Sequence, residues 1–356
     1  MTAPILLGLF HGAASRATAM KSRRVRAIAG EALLQGADFG LFGAADIDFD
    51  AGTVDYLRLT GGDLVEWRGP MPDVVLQGET VPSYDGCPTA ARLRTVAPFV
   101  SWLLPHKSEV SAVLRTTDLA PHVIPYCEVV TPGAEAVIAS FLDQHGRAVL
   151  KPGFEHVASR IFFVATDGGD IVVRRRDRRW RLPREKGLAE LARLIGDRPW
   201  TLQKMIISRA SDGRAFDIFI HAHKDAAGRW ELVRSYGRVS EIGALATITS
   251  WGGYIGDLDA VLAGLGDRGA ALAGRVQQLG LQIGETLDAH YGGKLDEIGA
   301  DILVDPQHWP WIAEVNSGPA TRFHEFERAR PHVAFAIDVA RRFKAGEAVP
   351  QFDARG

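Results

Sequence analysis

Ile298-Gly-Ala-Asp-Ile-Leu-Val-Asp-Pro-Gln-His-Trp-Pro-Trp-Ile-Ala-Glu-Val-Asn316 has two arms of alternating polarity around a Pro-bounded turn, the pattern of a β-hairpin with one buried face. A turn centred on Gln307 and His308 sets Asp301 opposite Glu314, with Cβ atoms about 4.5–5.5 Å apart. Asn316, two residues beyond Glu314, points to the same face. The other face then carries Ala300, Ile302, Val304, Trp311, Ala313 and Val315, all apolar. Two carboxylates side by side repel unless a proton or a cation lies between them. Three oxygen donors without nitrogen or sulfur suit Mg²⁺, which keeps several waters and is commonly completed by substrate phosphates. The plainer alternative is a solvated acidic face, and what the rest of the chain brings to the hairpin separates the two.

Upstream of the hairpin, helical spacing runs over about 260–291, after strands at 201–207, 216–223 and 230–239. Before these come short strands near Val129, Val149 and Phe162, a hairpin through Gly168-Gly169 and a helix over about 186–194. Helical sequence dominates about 89–117, and residues 332–344 close the chain with helical apolar spacing at Val333, Ala336, Ile337 and Ala340. The first residues read strand (4–10), helix (20–35), strand (37–42), then a β-rich insert with turns at Gly52, Gly61 and Gly62, and a strand over 73–77. This alternation predicts a small α/β lobe with a partly parallel sheet. The Pro- and Gly-containing stretch 81–88 marks a boundary, dividing the chain into 1–88 and 89–356.

The length of 356 residues exceeds one ordinary core. With 46% apolar and 24% charged residues the composition is that of a globular protein. A net charge of -2 argues against a general nucleic-acid grip. No apolar run approaches the ~18 residues that span a bilayer. Cys87 and Cys127 form neither a CxxC nor a framework, so a reducing cytoplasm is the expected location. Eight lysines stand against 33 arginines, which gives Lys107, Lys151 and Lys204 more weight than lysines usually carry.

Three blocks taken together resemble the ATP-grasp superfamily, and within it the YheC/YheD-type, endospore coat-associated branch. They are Ala148-Val-Leu-Lys-Pro-Gly153; Leu202-Gln-Lys-Met-Ile206 through Gly213-Arg-Ala-Phe-Asp-Ile218 to Gly252-Gly253; and Glu297-Ile-Gly-Ala-Asp301 with Ile312-Ala-Glu-Val-Asn-Ser-Gly-Pro319. The resemblance implies an α/β (α+β) ATP-grasp fold, with a lid subdomain at about 145–202, behind a Rossmann-like pre-ATP-grasp lobe. It implies ATP and Mg²⁺ as cofactors. Lys107 and Lys151 correspond to the phosphate lysines, and Gln203, Lys204 and Ile206 to the strand that receives adenine. Asp217 stands in the neighbouring strand of the nucleotide site, and Arg238 beside the transferred phosphate. Asp301, Glu314 and Asn316 correspond to the magnesium ligands. Thr249 and Ser250 stand where the branch carries Thr-Asn ahead of its glycine pair.

The reaction so implied is that of an ADP-forming carboxylate–amine ligase working through an acyl phosphate on small-molecule or peptide substrates. A phosphotransferase and a nucleotide-binding protein without turnover, used in assembly or regulation, are the alternatives. Nucleic-acid and membrane partners are not expected, and homo-oligomerisation is left open. Two departures bear on turnover. The loop 153–160 has one glycine where the family has several, and Asp217-Ile218-Phe219 replaces an Asp-Ile-Arg, losing a cation. Arg238, Arg160, His221, His223 and Lys224 are the candidates to restore it.

Other residues carry weaker signals. His221 and His223 share one strand face, read as a solvated face, a phosphate contact or, lacking a third ligand, an incomplete zinc site. The arginines at 174, 175, 176, 178, 179 and 181 read as a charged edge strand or an anion-recruiting surface. Arg322, His324 and Glu325 are candidates for an acceptor pocket.

Overall fold

Three sheets organise the chain. The computed structural model describes residues 3–11, 22–60, 63–77, 87–152, 161–175, 178–245, 247, 253–265, 267–319, 321 and 323–352. Outside these lie Gly61, Gly62, most of the 81–88 boundary, the 153–160 loop with Arg160, Arg176, Thr249, Ser250, Trp251, Gly252 and Arg322.

The first sheet contains β1 (Leu6–Phe10), β2 (Asp38–Phe42), β3 (Ile47–Asp48), β4 (Thr53–Thr60), β5 (Asp63–Pro70), β6 (Val74–Gln77) and β7 (Phe99–Val100). Strands β2, β1, β6 and β7 are parallel neighbours, and the β4–β5 hairpin joins antiparallel beside β2. β1 and β6 are buried along their whole length, as continuous apolar runs in parallel sheets require. Leu7, Leu9, Val74 and Leu76 face α1 (Arg23–Leu34), while Leu6, Phe10 and Val75 face α2 (Pro88–Arg94).

The second sheet is antiparallel in the order β12-β11-β10-β9-β13-β8. Its strands are β8 (Tyr126–Val129), β9 (Arg147–Pro152), β10 (Phe162–Asp167), β11 (Asp170–Arg175), β12 (Arg178–Pro183) and β13 (Trp200–Lys204). It follows α3 (Lys107–Arg115), and α4 (Ala134–His145) and α5 (Arg184–Ile195) close its core. The arginine-rich β12 is the outer strand, with Arg178, Arg179 and Arg181 exposed.

The third sheet, β16-β15-β14-β17-β18, is antiparallel. It comprises β14 (Phe216–Lys224), β15 (Trp230–Val239), β16 (Tyr254–Asp257), β17 (Glu297–Val304) and β18 (Pro310–Asn316). The helical stretch expected at 260–291 is divided into α6 (Leu258–Leu262), a 3-10 turn and α7 (Asp267–His290). Ile218, Ile220, Ala222, Ile298 and Ala300 pack with Leu272, Val276, Leu279 and Ile283 of α7, and each such isoleucine contributes roughly 1.5–3 kcal/mol by burial.

Helix α8 (Glu325–Lys344) starts well before the expected residue 332, with Pro331 inside it. Proline removes one helical hydrogen bond, yet tertiary packing carries this helix across it. Its Val333, Ala336, Ile337 and Ala340 return to the core of the first sheet, so the last helix closes the lobe that the first strand opens. No helix among the described residues is long and apolar enough to cross a membrane.

The β17–β18 register pairs Asp301 with Glu314, then slips by one residue so that Ile302 faces Ile312 and Val304 faces Pro310. A bulge of this kind sets two residues against one. Its consequence corrects the expected core face. Ile312 packs into the core at 5% exposure, whereas Trp311 and Ala313 are half-buried, and Trp311 Nε1 donates to Asp305 at 2.9 Å.

Candidate functional site

Four strands of the third sheet, one helix start and one strand of the second sheet converge on a compact set of charges. Arg238 of β15 lies opposite Asp217 of β14, and its guanidinium bridges two carboxylates: Nε to Asp217 Oδ1 at 2.6 Å and Nη2 to Asp301 Oδ1 at 2.7 Å. Thr247 Oγ1 contacts the second oxygen of Asp217. On β18, Glu314 Oε1 meets Lys107 Nζ at 2.6 Å and accepts from Asn316 Nδ2 at 2.8 Å. Lys107 is the first residue of α3. Lys151 on β9 donates to Gln203 Oε1 on β13 at 3.1 Å.

Burial depresses the Lys151 pKa, with Glu314 opposing, Lys107 adding to the depression and Asp301 opposing. The lysine of the second sheet and the carboxylates of the third thus share one electrostatic neighbourhood. Burial raises Asp301, against Arg238 and with Glu314. Burial also pushes Asp217 up, against the pull of Arg238. Glu314 resists the same burial because Lys107, Asn316 and Lys151 hold it below its ordinary value. Asp301 Oδ1 is buried with the Arg238 guanidinium as its one close partner among the described residues, and a carboxylate oxygen with a single partner keeps a lone pair for a hard cation. The oxygen-only set of Asp301, Glu314 and Asn316 therefore fits Mg²⁺.

Lys204 and Ile206 stand at the passage from the second sheet to the third. The Lys204 ammonium lies 5.3 Å from the centroid of the Trp311 ring, and Ile206 is half-buried. Ser208 Oγ, just beyond, accepts from the Val304 amide at 3.1 Å and ties this passage to β17. Beside it a cavity of about 320 Å³ is lined by Arg147, Phe163, Val172, Arg174, Met205 and Leu245, within the range of small-ligand pockets. Gly253 has φ +119, and a Cβ there would lie 2.5 Å from the Val239 carbonyl oxygen, so only glycine fits.

Phe219, opposite Asp301, is buried against Tyr236 with ring centroids 5.0 Å apart. The Arg238 guanidinium carbon is 5.6 Å from its ring centroid, which makes Arg238 the cation beside the substituted position. His221 does not fill that role. His221 and His223 are both fully buried, which overturns the solvated face expected from their alternation: α8 covers this end of β14 and removes both rings from water.

Hydrogen bonds assign the His221 tautomer. Its Nε2–H donates to Glu297 Oε1 at 2.8 Å. Glu297 is held in turn by Arg328, Nη2 to Oε2 at 2.7 Å with Nε on the other oxygen. His221 Nδ1 then accepts from His324 Nε2–H at 2.9 Å. His324 Nδ1 is left with a bare lone pair and no hydrogen-bond partner, its ring 5.8 Å from that of Tyr236. Glu325 instead pairs with Arg24 of α1 at 3.2 Å, as a clamp between helices. Glu297 and Arg328 were not anticipated from the sequence. The signal for Glu297 is there, because Glu297, Gly299 and Asp301 alternate onto one face. Nothing local marks Arg328.

Residues 96–337 match the sequence pattern of the YheC/D-like ATP-grasp family. The endospore coat-associated protein YheD of Bacillus subtilis (strain 168) is 23% identical over 299 residues, which cover 78% of this chain and 64% of YheD. The chain thus spans less than two thirds of that relative's length. D-alanyl-alanine synthetase A from Vibrio cholerae O1 biovar eltor superposes with a TM-score of 0.58 at 13% identity, over 96% of this chain and 99% of that one. The ATP-grasp ligase PsnB, solved with a minimal precursor, superposes with a TM-score of 0.55 at 12% identity, over 94% and 99%. At such identities these two likenesses speak to the fold.

Proposed function

The chain belongs to the YheC/D-like ATP-grasp family, and we propose that it is an ADP-forming ligase joining a carboxylate to an amine through an acyl phosphate. The observation that carries this reading is the convergence of Lys107, Lys151 and Arg238 on the Asp301–Glu314–Asn316 face. Phosphoryl transfer asks a protein for positioning and charge neutralisation rather than for a nucleophile. Burial raises the Cys127 thiol, which keeps it protonated. In this reading Lys107 and Lys151 bind the phosphates of ATP, and Gln203, Lys204 and Ile206 border its adenine. Asp301, Glu314 and Asn316 hold Mg²⁺, which when bound offsets phosphate charge. Asp217 positions Arg238 beside the transferred group. His324 borders the acceptor side of the site, and the His221–Glu297–Arg328 chain holds that buried ring in one tautomer.

The likenesses to a D-alanyl-alanine synthetase and to a ligase solved with a precursor support a small-molecule or peptide substrate. The test is ADP release from Mg-ATP across a panel of carboxylates and amines. One ADP per amide formed is expected, and absence of nucleotide binding by calorimetry rejects the reading. Phe219 in place of an arginine favours one alternative, a nucleotide-binding protein without turnover, whose outcome is ATP binding without ADP formation over the whole panel. A phosphotransferase leaves a phosphate ester that product mass identifies.

A further inference from the structure

Beyond the nucleotide site, the far end of β14 holds a second cluster with a different donor chemistry. His223 of β14, Asp296 immediately before β17 and His332 of α8 are 0%, 0% and 1% exposed. His223 Nε2 and His332 Nδ1 are 2.9 Å apart, and Asp296 Oδ2 lies 3.7 Å from each. A point equidistant from these three atoms is about 2.0 Å from each, which matches zinc–imidazole and zinc–carboxylate bond lengths.

The atoms around the triangle are arranged to turn its lone pairs inward. His223 Nδ1 donates to the Lys224 carbonyl at 2.7 Å, so its Nε2 carries a lone pair toward the centre. His332 Nε2 faces the Ser101 hydroxyl at 3.2 Å, which can accept its N–H when Nδ1 is the ligand. Asp296 is oriented by the Ser101 amide, 3.0 Å from each oxygen, and by the Trp102 amide at 3.2 Å. Ser101 takes a left-handed backbone, φ 69, to present that amide. Outer contacts of this kind hold metal-bound imidazoles and carboxylates in place.

Charge points the same way. Among the described residues, the hydrogen bonds to the Asp296 carboxylate come from these two amides, the two neutral imidazoles lie within 4.0 Å of it, and the Lys224 ammonium acts on it from farther off. A carboxylate buried beside two neutral rings is costly unless a proton or a cation offsets it. Two nitrogens and one carboxylate suit a first-row transition ion of the zinc class, whereas the oxygen-only set at the other end of the strand suits magnesium.

We propose that His223, Asp296 and His332 bind one structural zinc-class ion that fastens the end of β14, the entry to β17 and α8 together. The site is independent of the ligase reading. The competing state is a metal-free hydrogen-bond chain from the Ser101 hydroxyl through His332 and His223 to the Lys224 carbonyl, which would satisfy both rings without an ion.

The full chain, purified from zinc-supplemented cells and passed over chelating resin, is expected to keep about one zinc per molecule by elemental analysis. Its X-ray absorption should show a first shell with two imidazoles, and Co²⁺ refolded into the chain should give the absorption of a four- or five-coordinate ion. His332→Gln and Asp296→Asn keep a hydrogen-bonding side chain and should lower retained zinc at least about tenfold. Asp301→Asn, in the other cluster, should retain it. Less than about 0.1 zinc per wild-type chain after refolding with Zn²⁺ overturns the proposal, as does equal retention by both variants. If the variants do not fold, wild-type stoichiometry and the two-imidazole shell decide the matter.

Discussion

The two ends of β14 face the same side of one sheet and have opposite chemistry. At the Asp217 end the surroundings are oxygen-rich, half-buried around Asp301 and Glu314, and held by cations from two elements, Arg238 of β15 and Lys107 of α3. Six residues on, His223 is enclosed by nitrogen and one carboxylate and sealed by α8. Between them the His221–His324 pair is intermediate, with three ring nitrogens engaged and one buried without a partner. Under the proposed function, turnover and stability are graded along a single strand. Groups near Asp217 should reveal themselves in turnover, and groups near His223 in folding.

The strongest way to break this division is to remove a countercharge at the deep end. Arg328→Met leaves Glu297 buried with its guanidinium partner gone, and should cost about 3–5 kcal/mol of stability by urea midpoint. Mg-ATP affinity of the folded fraction should be unchanged; a loss of affinity in step with stability would erase the distinction. At the open end the effect should reverse. Asp301→Asn should lower ADP formation by about 10²–10³-fold while leaving the urea midpoint near wild type, because it also relieves repulsion with Glu314.

The middle pair sharpens the comparison. His324→Gln should reduce turnover at saturating ATP by about 10²-fold, the scale of a misplaced reacting group, with nucleotide affinity retained. The smallest effect is in pH dependence. Burial lowers His221, and lowers His324 from 6.5 to about 4. For His324 the unfolded chain then binds more protons than the folded one between about 4 and 6.5, so its contribution is complete above pH 6.5 and is lost as pH falls toward 4, and His221 acts in the same direction. The slope is about 1.4 kcal/mol per pH unit for His324. Chemical denaturation of His221→Gln/His324→Gln across that range should show a flatter acid limb than wild type.

Much of the oxygen-rich end is legible in the sequence alone. The pairing of Asp301 with Glu314 depends on a turn and a two-residue alternation, both local, and it survives the bulge because the slip lies on the turn side of the pair. That same bulge defeats the assignment of Trp311 and Ala313 to the core, since an extra residue reverses the alternation without any marker in composition. Lys107 and Lys151 stand out through the scarcity of lysine. The pair formed by Arg238 and Asp217 is not evident, because it depends on the register between β14 and β15.

The histidines mark the boundary of what the chain alone determined. Alternation set His221 and His223 on one face and could go no further, because their partners Glu297, His324 and His332 lie 76, 103 and 109 residues away. Local pattern fixes which way a side chain points. Only the packing of α8 over that face decided that these rings lie in the core, that His324 Nδ1 is left without a hydrogen-bond partner, and that His223, Asp296 and His332 meet.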